Sequence, residues 1–161
     1  MRFEGLVYRP HNPRWAFLPS SGEGAARFGG RFNRIGRPAL YTSLRIETAW
    51  LEAQQGFAFK AQPMTLVAYQ VACDDMLDLS SDPPGKLACA WEDLASRRQP
   101  VPSWELAERL IAEGVAGVIV PSFAHRARAD DRNAVFWRWD DTTVKVIDAH
   151  SRLPTNDSSW R

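Results

Sequence analysis

Residues 24–55 read GAARFGGRFNRIGRPALYTSLRIETAWLEAQQ, and the features that decide the fold follow one another in this stretch. The glycine pair 29–30 lies in a loop, and the short run 39–43 after a proline predicts a strand. The spacing of apolar side chains over 46–55 predicts a helix with Trp50 on its inward face. A loop, a short strand and a helix in such close succession are typical of a domain that mixes α and β structure.

Outside this stretch, apolar periodicity and turn residues predict further short elements of both types. Strands are predicted at 5–9, 65–71, 117–120, 134–139 and 143–147, the last two as a closing antiparallel pair, and helices at 86–97 and 103–113. Because strands and helices do not alternate regularly, we expect a single α+β domain with flanking helices and a mostly antiparallel, curved or split sheet. The domain would span residues 1–153, followed by a mobile tail at 154–161.

The composition excludes several classes of protein. The chain has 161 residues, 45% of them hydrophobic and 24% charged, which is the balance of a globular domain and not of a disordered chain. No apolar run approaches the ~18 residues that a membrane-spanning helix needs, and no signal peptide is recognisable. We therefore expect a cytoplasmic protein that does not contact a membrane. Cys73 and Cys89 are too few for a disulfide scaffold and lack metal-ligand spacing, so we expect no metal.

Positive charge is concentrated at the front of the chain. Residues 1–45 contain eight arginines and two glutamates, a net charge of +6, whereas the whole chain carries +1. The planar fork of arginine suits bidentate contacts with phosphate or carboxylate, so an anion would bind in this region. The chain has no lysine-rich tail, zinc pattern or helix-turn-helix signature, and we expect no direct binding of nucleic acid.

Three side chains in the opening stretch have properties that together suit the binding and cleavage of one ligand. Arg31 follows two glycines that let the backbone approach a ligand closely, and its guanidinium suits a pyrophosphate. Tyr41 offers an aromatic face for stacking, and Glu52 offers a carboxylate that would stabilise a positively charged sugar during glycosidic cleavage. Each also has an ordinary interpretation, as a surface ion pair, a core aromatic residue or a solvated helix position. Their combination favours a binding site.

The segment 24–55 resembles the opening signature of the RES domain family, which is named for its arginine, glutamate and serine. The segment 117–122, GVIVPS, followed by Asn133 ahead of an apolar strand, is similar to the second signature of that family. The match in order and spacing extends over residues 8–148. The resemblance implies that the predicted domain is a RES domain with a fold similar to ADP-ribosyltransferases.

The resemblance also implies which residues form the site. Arg31, Glu52 and Ser122 correspond to the three residues that name the family, and Tyr41 and Asn133 to supporting positions. Arg31 would orient the phosphates of NAD⁺, Tyr41 would stack on a flat ring, and Glu52 would contact the ribose hydroxyl and the oxocarbenium charge. Ser122 would bind the ribose or a phosphate, with a nucleophilic role left open, and Asn133 would fix the loop before it.

Two glutamates compete for the acidic role, because Glu47 and Glu52 both lie in the predicted helix. The family pattern places the acid directly after a Thr-Ala-x-x segment. Here residues 48–51, TAWL, lead to Glu52. The resemblance therefore favours Glu52.

The same resemblance implies the toxin of a bacterial toxin–antitoxin pair, neutralised by a partner antitoxin with an Xre-like region. Such a toxin would cleave the nicotinamide–ribose bond of NAD⁺, its substrate, and transfer ADP-ribose to a protein, for example ribose-phosphate pyrophosphokinase, or to water. The loop arginines Arg126, Arg128 and Arg132 could meet a phosphate or an acidic acceptor protein, or only solvent.

Two alternatives remain open at this point. One is a pure NAD⁺ glycohydrolase or phosphorylase that acts by depleting NAD⁺. The other is a non-catalytic module that binds a nucleotide or a protein through a tryptophan-rich surface. That surface would be formed by Trp91, Trp104, Trp137, Trp139 and Trp160.

Overall fold

The computed structural model describes residues 1–12, 16–54, 64–148 and 150–156, and these ranges contain seven strands and four helices. In chain order the elements are β1 (Phe3–His11), α1 (Glu23–Phe28), β2 (Leu40–Ser43), α2 (Ile46–Gln54), β3 (Thr65–Cys73), β4 (Met76–Asp78), α3 (Trp91–Ser96), α4 (Pro102–Ala112), β5 (Gly117–Pro121), β6 (Arg132–Phe136) and β7 (Val144–Ile147). None of the four helices is long and apolar enough to cross a bilayer.

The seven strands form one mixed sheet in the order β4-β5-β6-β2-β1-β3-β7. Within the described ranges every pairing is antiparallel except that of β4 with β5. The longest pairing joins β1 to β3, from Phe3 opposite Cys73 to His11 opposite Thr65. The prediction of an α+β domain with a mostly antiparallel sheet is confirmed.

Apolar side chains cover both faces of the middle of the sheet. In β5, Val118 and Val120 face one core cluster and Ile119 faces the other, as the period of two in a strand requires. The first core cluster, on the side of Ile119, includes Tyr69 of β3, and the second core cluster, on the side of Val118 and Val120, includes Leu110 of α4. Because β5 is buried on both faces, the chain that leaves its carboxyl end starts from a fixed position.

The predicted closing pair at 134–139 and 143–147 is wrong. β6 lies between β5 and β2, whereas β7 pairs with β3 at the far side of the sheet. Adjacency in sequence suggested a hairpin, but β6 pairs on both of its edges with other strands, so β7 pairs with the free edge of β3.

Three other local predictions also needed correction. Trp50 is 42% exposed, not inward-facing, although Thr48 and Ala49 on the same helix are buried. The helix predicted over 86–97 contains only α3, and neither α1 nor β4 was predicted. α1 forms within a glycine-containing segment and ends where Gly29 adopts φ +74°, a conformation that favours glycine.

Candidate functional site

The carboxylate of Glu52 lies where three strands end or begin. Glu52 is on the same face of α2 as the buried Thr48, because residues four apart in a helix share a face. Its Oε1 accepts hydrogen bonds from the Oγ of Ser122 at 2.5 Å and from the Nδ2 of Asn133 at 2.5 Å. Its Oε2 has no partner among the described residues. One oxygen is therefore fixed by two neutral donors while the other remains available.

Sheet register brings these donors together. Ser122 directly follows β5, and Asn133 is the second residue of β6, opposite Val120 in the antiparallel pair. On its other side Asn133 is opposite Ser43, the last residue of β2, whose Oγ donates to Asn133 Oδ1 at 2.7 Å. We call Ser43, Glu52, Ser122 and Asn133 the Glu52 cluster. Its members come from segments 70 to 90 residues apart in sequence.

A second carboxylate nearby, that of Asp131, is neutralised by a cation, which distinguishes it from Glu52. Asp131, 1% exposed, pairs with Arg45 and also accepts a hydrogen bond from Thr48 at 2.6 Å. Burial acts to raise the pKa of Asp131, but these donors and the amide of Arg128 outweigh it and lower the pKa to about 2. No salt bridge within the described ranges involves Glu52.

The competing acid, Glu47, lies elsewhere on the same helix. Glu47 is exposed in the first turn of α2 and has no hydrogen bond to Ser122 or Asn133, whereas Glu52 binds both. The two glutamates therefore differ in surroundings although they are only five positions apart.

The guanidinium of Arg31 is held on one side only. Its Nη1 donates to the carbonyl oxygens of Leu87 at 3.0 Å and Cys89 at 2.7 Å, and its Cζ lies 4.6 Å from the ring centroid of Phe123. Burial lowers the pKa of Arg31, an effect that nearby groups including Glu52 oppose. Nε and Nη2 have no partner in the part of the chain described, so a fork of two donors remains for a ligand.

Tyr41 fixes the turn that carries Arg31. Its hydroxyl donates to Asn33 Oδ1 at 2.6 Å and accepts from the backbone N–H of Phe32 at 2.9 Å. A Cβ at Gly30 would lie 2.5 Å from this hydroxyl, so only glycine fits there. The hydroxyl of Tyr41 is therefore engaged by the turn, and its ring is packed beside the second core cluster.

Three of the five tryptophans that the alternative hypothesis placed on a binding surface hold backbone groups in the structure. The indole N–H groups of Trp104, Trp137 and Trp139 donate to the carbonyls of Gly30 (2.6 Å), Phe32 (2.9 Å) and Ser20 (3.0 Å). The hydroxyl of Ser103 donates to the carbonyl of Arg31, and the hydroxyl of Tyr69 donates to that of Pro19. We call residues 19–33, whose backbone these side chains hold, the anchored segment. Trp160 lies outside the described residues.

Arg9, which sequence reasoning missed, is a buried cation on β1 next to Tyr41. Its Nη1 donates to the carbonyl of Tyr41 at 2.9 Å, its buried Nε has no hydrogen-bond partner, and no salt bridge among the described residues involves it. Burial lowers the pKa of Arg9. Burial also raises the pKa of Tyr41, although Arg9 and Arg31 both act to lower it, which places two cations near this ring. The signal in the sequence was a charged residue at the end of the predicted strand 5–9, GLVYR, whose other residues are uncharged.

The loop arginines are separated by the structure. Arg132 donates to the carbonyls of Ala129 and Asp131, whereas Arg126 and Arg128 are exposed. These two help to line a cavity of about 830 Å³, which Glu52 does not line. No group of three or more side chains able to hold a metal ion occurs within the described ranges.

Comparisons with known proteins agree with this architecture. A family model described as the RES domain matches residues 6–156. The fold is similar to a chain in the crystal structure of the M. tuberculosis MbcT–MbcA toxin–antitoxin complex, with a TM-score of 0.61 and 21% sequence identity over 92% of this chain and 84% of that chain. No curated protein sequence matches.

Proposed function

The chain belongs to the RES domain family, and from this premise we propose that it cleaves the nicotinamide–ribose bond of NAD⁺ and passes ADP-ribose to a protein or to water. The observation that carries the proposal is the Glu52 carboxylate, held by Ser122 and Asn133 through one oxygen and in no ion pair with any residue that the structure describes. Neutral donors orient a carboxylate without cancelling its charge. That charge is what a developing oxocarbenium ion requires beside it.

The Oε2 of Glu52, which no described residue binds, would give the site its second contact with substrate. A ribose hydroxyl that donates to Oε2 would be held while Oε1 stays fixed by Ser122 and Asn133. As nicotinamide leaves as a neutral ring, the positive charge moves from the ring to the ribose, and the attraction of Glu52 increases. The carboxylate therefore contributes more in the transition state than in the ground state.

The cations around Tyr41 support binding of the pyrophosphate. Arg31 presents Nε and Nη2 with no partner among the described residues, and Arg9 is buried without a carboxylate. A buried cation that lacks a counter-charge is unfavourable in isolation, so an anionic ligand in contact with it stabilises the complex. We assign the phosphates to Arg31, with Arg9 contributing charge from beneath Tyr41, and a stacking face to the Tyr41 ring.

Ser122 is assigned a positioning role and not that of a nucleophile. Its hydroxyl proton is directed at Glu52 Oε1, and its oxygen accepts a hydrogen bond from the amide of Ala124 at 3.2 Å. Both interactions fix the hydroxyl against Glu52. A serine nucleophile would instead need its oxygen to face the substrate, whereas here that oxygen accepts from the amide of Ala124.

We further propose that the protein is a toxin whose partner is an antitoxin, with an Xre-like region, that covers this site. The similarity in fold to a chain of a toxin–antitoxin complex and the family membership support this proposal. Induced expression in a bacterium should then arrest growth, and expression of a Glu52→Gln variant should not.

The test of the reaction is incubation of the purified protein with NAD⁺ labelled on the adenylate phosphate, with and without cell lysate. We expect nicotinamide release, and a decrease of about 10³-fold in kcat for Glu52→Gln. Glu47→Gln is the matched control, because this glutamate is on the same helix but outside the Glu52 cluster, and its activity should stay within about two-fold of the wild type.

The label distinguishes the possible fates of ADP-ribose. A single labelled protein band, absent with Glu52→Gln, would identify a transferase, and purified ribose-phosphate pyrophosphokinase is the first acceptor to test. Release of nicotinamide without a labelled band would identify a glycohydrolase or a phosphorylase. If the wild-type protein binds NAD⁺ but releases no nicotinamide, the catalytic proposal is wrong and the chain is a binding module.

A further inference from the structure

Ser43 is a buried residue that has no hydrogen bond to Glu52 but binds the side chain of Asn133, which does. It is 3% exposed at the end of β2, and its Oγ donates to Oδ1 of Asn133 at 2.7 Å. The Nδ2 at the other end of the same amide donates to Glu52 Oε1 at 2.5 Å. Ser43, Asn133 and Glu52 thus form a chain of two hydrogen bonds that runs from β2 through β6 to α2.

The amide in the middle of this chain has two chemically different ends. Rotation of an asparagine amide by 180° exchanges an acceptor oxygen for a donor nitrogen. A carboxylate only accepts hydrogen bonds. If the amide oxygen of Asn133 were turned toward Glu52, it would therefore be repelled by the carboxylate oxygen. The hydroxyl of Ser43, by donating to Oδ1, stabilises the orientation in which Nδ2 faces Glu52.

We propose that Ser43 is a positioning residue of this site, which acts on Glu52 through the amide of Asn133. The inference rests on the proposed function, because the reaction is what makes the orientation of Glu52 matter. Ser43 does not touch substrate in this scheme. Its role is to keep a donor aimed at Oε1 while the charge on the ribose develops.

The neighbouring Thr42 provides a matched control. Thr42 is also 3% exposed, and its Oγ1 donates to the carbonyl of Ala134, the next residue of β6, at 2.8 Å. Adjacent residues of a strand point to opposite faces, so Thr42 binds β6 without reaching the amide of Asn133. Thr42→Val removes a buried hydroxyl bound to the same strand and leaves the chain to Glu52 intact.

The kinetic test compares these variants with NAD⁺ as substrate. We expect Ser43→Ala to lower kcat about 10-fold and to change KM by less than about two-fold, because the bond that it loosens matters most in the transition state. Ser43→Thr, which retains a hydroxyl, should restore most of the activity. Thr42→Val should keep the wild-type kcat, and an equal loss of kcat in Thr42→Val and Ser43→Ala would overturn the proposal.

A double-mutant cycle tests whether the effect passes through Asn133. In an Asn133→Ala background the amide is gone, so adding Ser43→Ala should lower kcat by less than about two-fold further. If the decrease in kcat of the double variant equals the product of the decreases in the two single variants, Ser43 acts independently of Asn133. The proposed relay, the chain of hydrogen bonds from Ser43 through Asn133 to Glu52, is then wrong.

A measurement without substrate separates failure of this inference from failure of the proposed function. The side-chain NH₂ signals of Asn133, identified by their absence in Asn133→Ala, should shift in ¹H–¹⁵N spectra of Ser43→Ala and stay unchanged in Thr42→Val. Unchanged signals in Ser43→Ala would refute the relay whatever the enzyme does. If the signals shift but the wild-type protein releases no nicotinamide, the reaction proposed for the site is wrong, and with it the role of Ser43.

Discussion

The anchored segment, residues 19–33, and the Glu52 cluster are held by different kinds of hydrogen bond. In the anchored segment, side chains from elsewhere donate to backbone carbonyls, as Trp104 does to Gly30 and Trp137 to Phe32. In the Glu52 cluster, side chains bind side chains, as Ser122 and Asn133 bind Glu52. A backbone carbonyl is present whatever the residue, whereas a side-chain bond depends on the identity of both partners.

This difference predicts how the two regions respond to substitution. Changes that disturb the anchored segment alter the path of the backbone, so they should first reduce stability and ligand binding. Changes in the Glu52 cluster remove single polar contacts and leave the backbone in place, so they should first reduce turnover. The substitutions below test that division outside the Glu52 cluster, from the largest expected effect to the smallest.

Gly30→Ala should have the largest effect on stability. A Cβ at this position would lie 2.5 Å from the Tyr41 hydroxyl and 2.6 Å from Asn33 Oδ1, so the turn must shift and lose the bond between these two groups. We expect the free energy of unfolding to fall by about 3 kcal/mol, measured by urea denaturation.

Gly24→Ala is the control for this change. A Cβ at Gly24 would meet no atom within 4 Å, and the residue lies in α1, where alanine is favoured by about 0.5–1 kcal/mol. Equal stability of the two alanine variants would show that the turn at Gly30 is not rigid, and the contrast between the two regions would fail.

Arg31→Lys tests the boundary between the regions, because the backbone of Arg31 is anchored while part of its side chain is free. An ammonium group cannot donate to Leu87 and Cys89 and also present a planar fork to a phosphate. We expect KM for NAD⁺ to rise about 10- to 100-fold, with a smaller change in kcat.

The control for this charge-conserving change is Arg34→Lys, in the same stretch of sequence. Arg34 is half-exposed and paired with Glu108 on α4, away from Phe123 and the Glu52 cluster. Its replacement should change KM by less than about two-fold. A similar rise in KM for both variants would mean that net charge, and not the geometry at Arg31, determines binding.

Local patterns in the sequence predicted the mixed fold, whereas the choice of Glu52 as the proposed acid came from the resemblance to the family. The segment 46–54 has helical periodicity and β3 has a β-branched run, so both elements were predicted within a few residues of their bounds. Pairing of strands was harder to predict. β4, with three residues, forms only by pairing with β5, about 40 positions later, and nothing within its own sequence indicates that contact.

The parts of the site that sequence reasoning missed depend on register. Ser43 matters because β2 and β6 align it with Asn133, and a shift of one residue would turn it to the other face. Arg9 could not be predicted for a similar reason, because its position on β1 beside Tyr41 follows from the order of the strands. The structural role of Trp104, Trp137 and Trp139 could not be predicted, because composition shows that tryptophans are numerous but not that these three N–H groups face backbone carbonyls.

The smallest predicted effect concerns the pH dependence of the anchored segment. His11 is buried on β1, and its Nε2 lies 2.8 Å from the hydroxyl of Tyr69, which donates to the carbonyl of Pro19. Burial, with a smaller effect of Arg9, lowers the pKa of His11 to about 3. The unfolded chain, with a histidine pKa near 6.5, therefore binds a proton that the folded chain does not.

It follows that stability from this network is fully present above about pH 6.5 and is lost as the pH falls from there toward 3. Between pH 7 and 5.5 we expect the free energy of unfolding to fall by about 1 kcal/mol.

The variant His11→Gln tests this expectation, because glutamine keeps an N–H donor for Tyr69 but does not titrate, so the stability of the variant should change less over this range. The control is His125→Gln, at an exposed position, which should behave as the wild type. The stability that Asp131 contributes, with its pKa of about 2, is fully present above about pH 4 and is lost only below it, so Asp131 does not affect this range. An identical slope in His11→Gln and wild type would show that protonation of His11, which is bound to Tyr69, is not the source of this pH dependence.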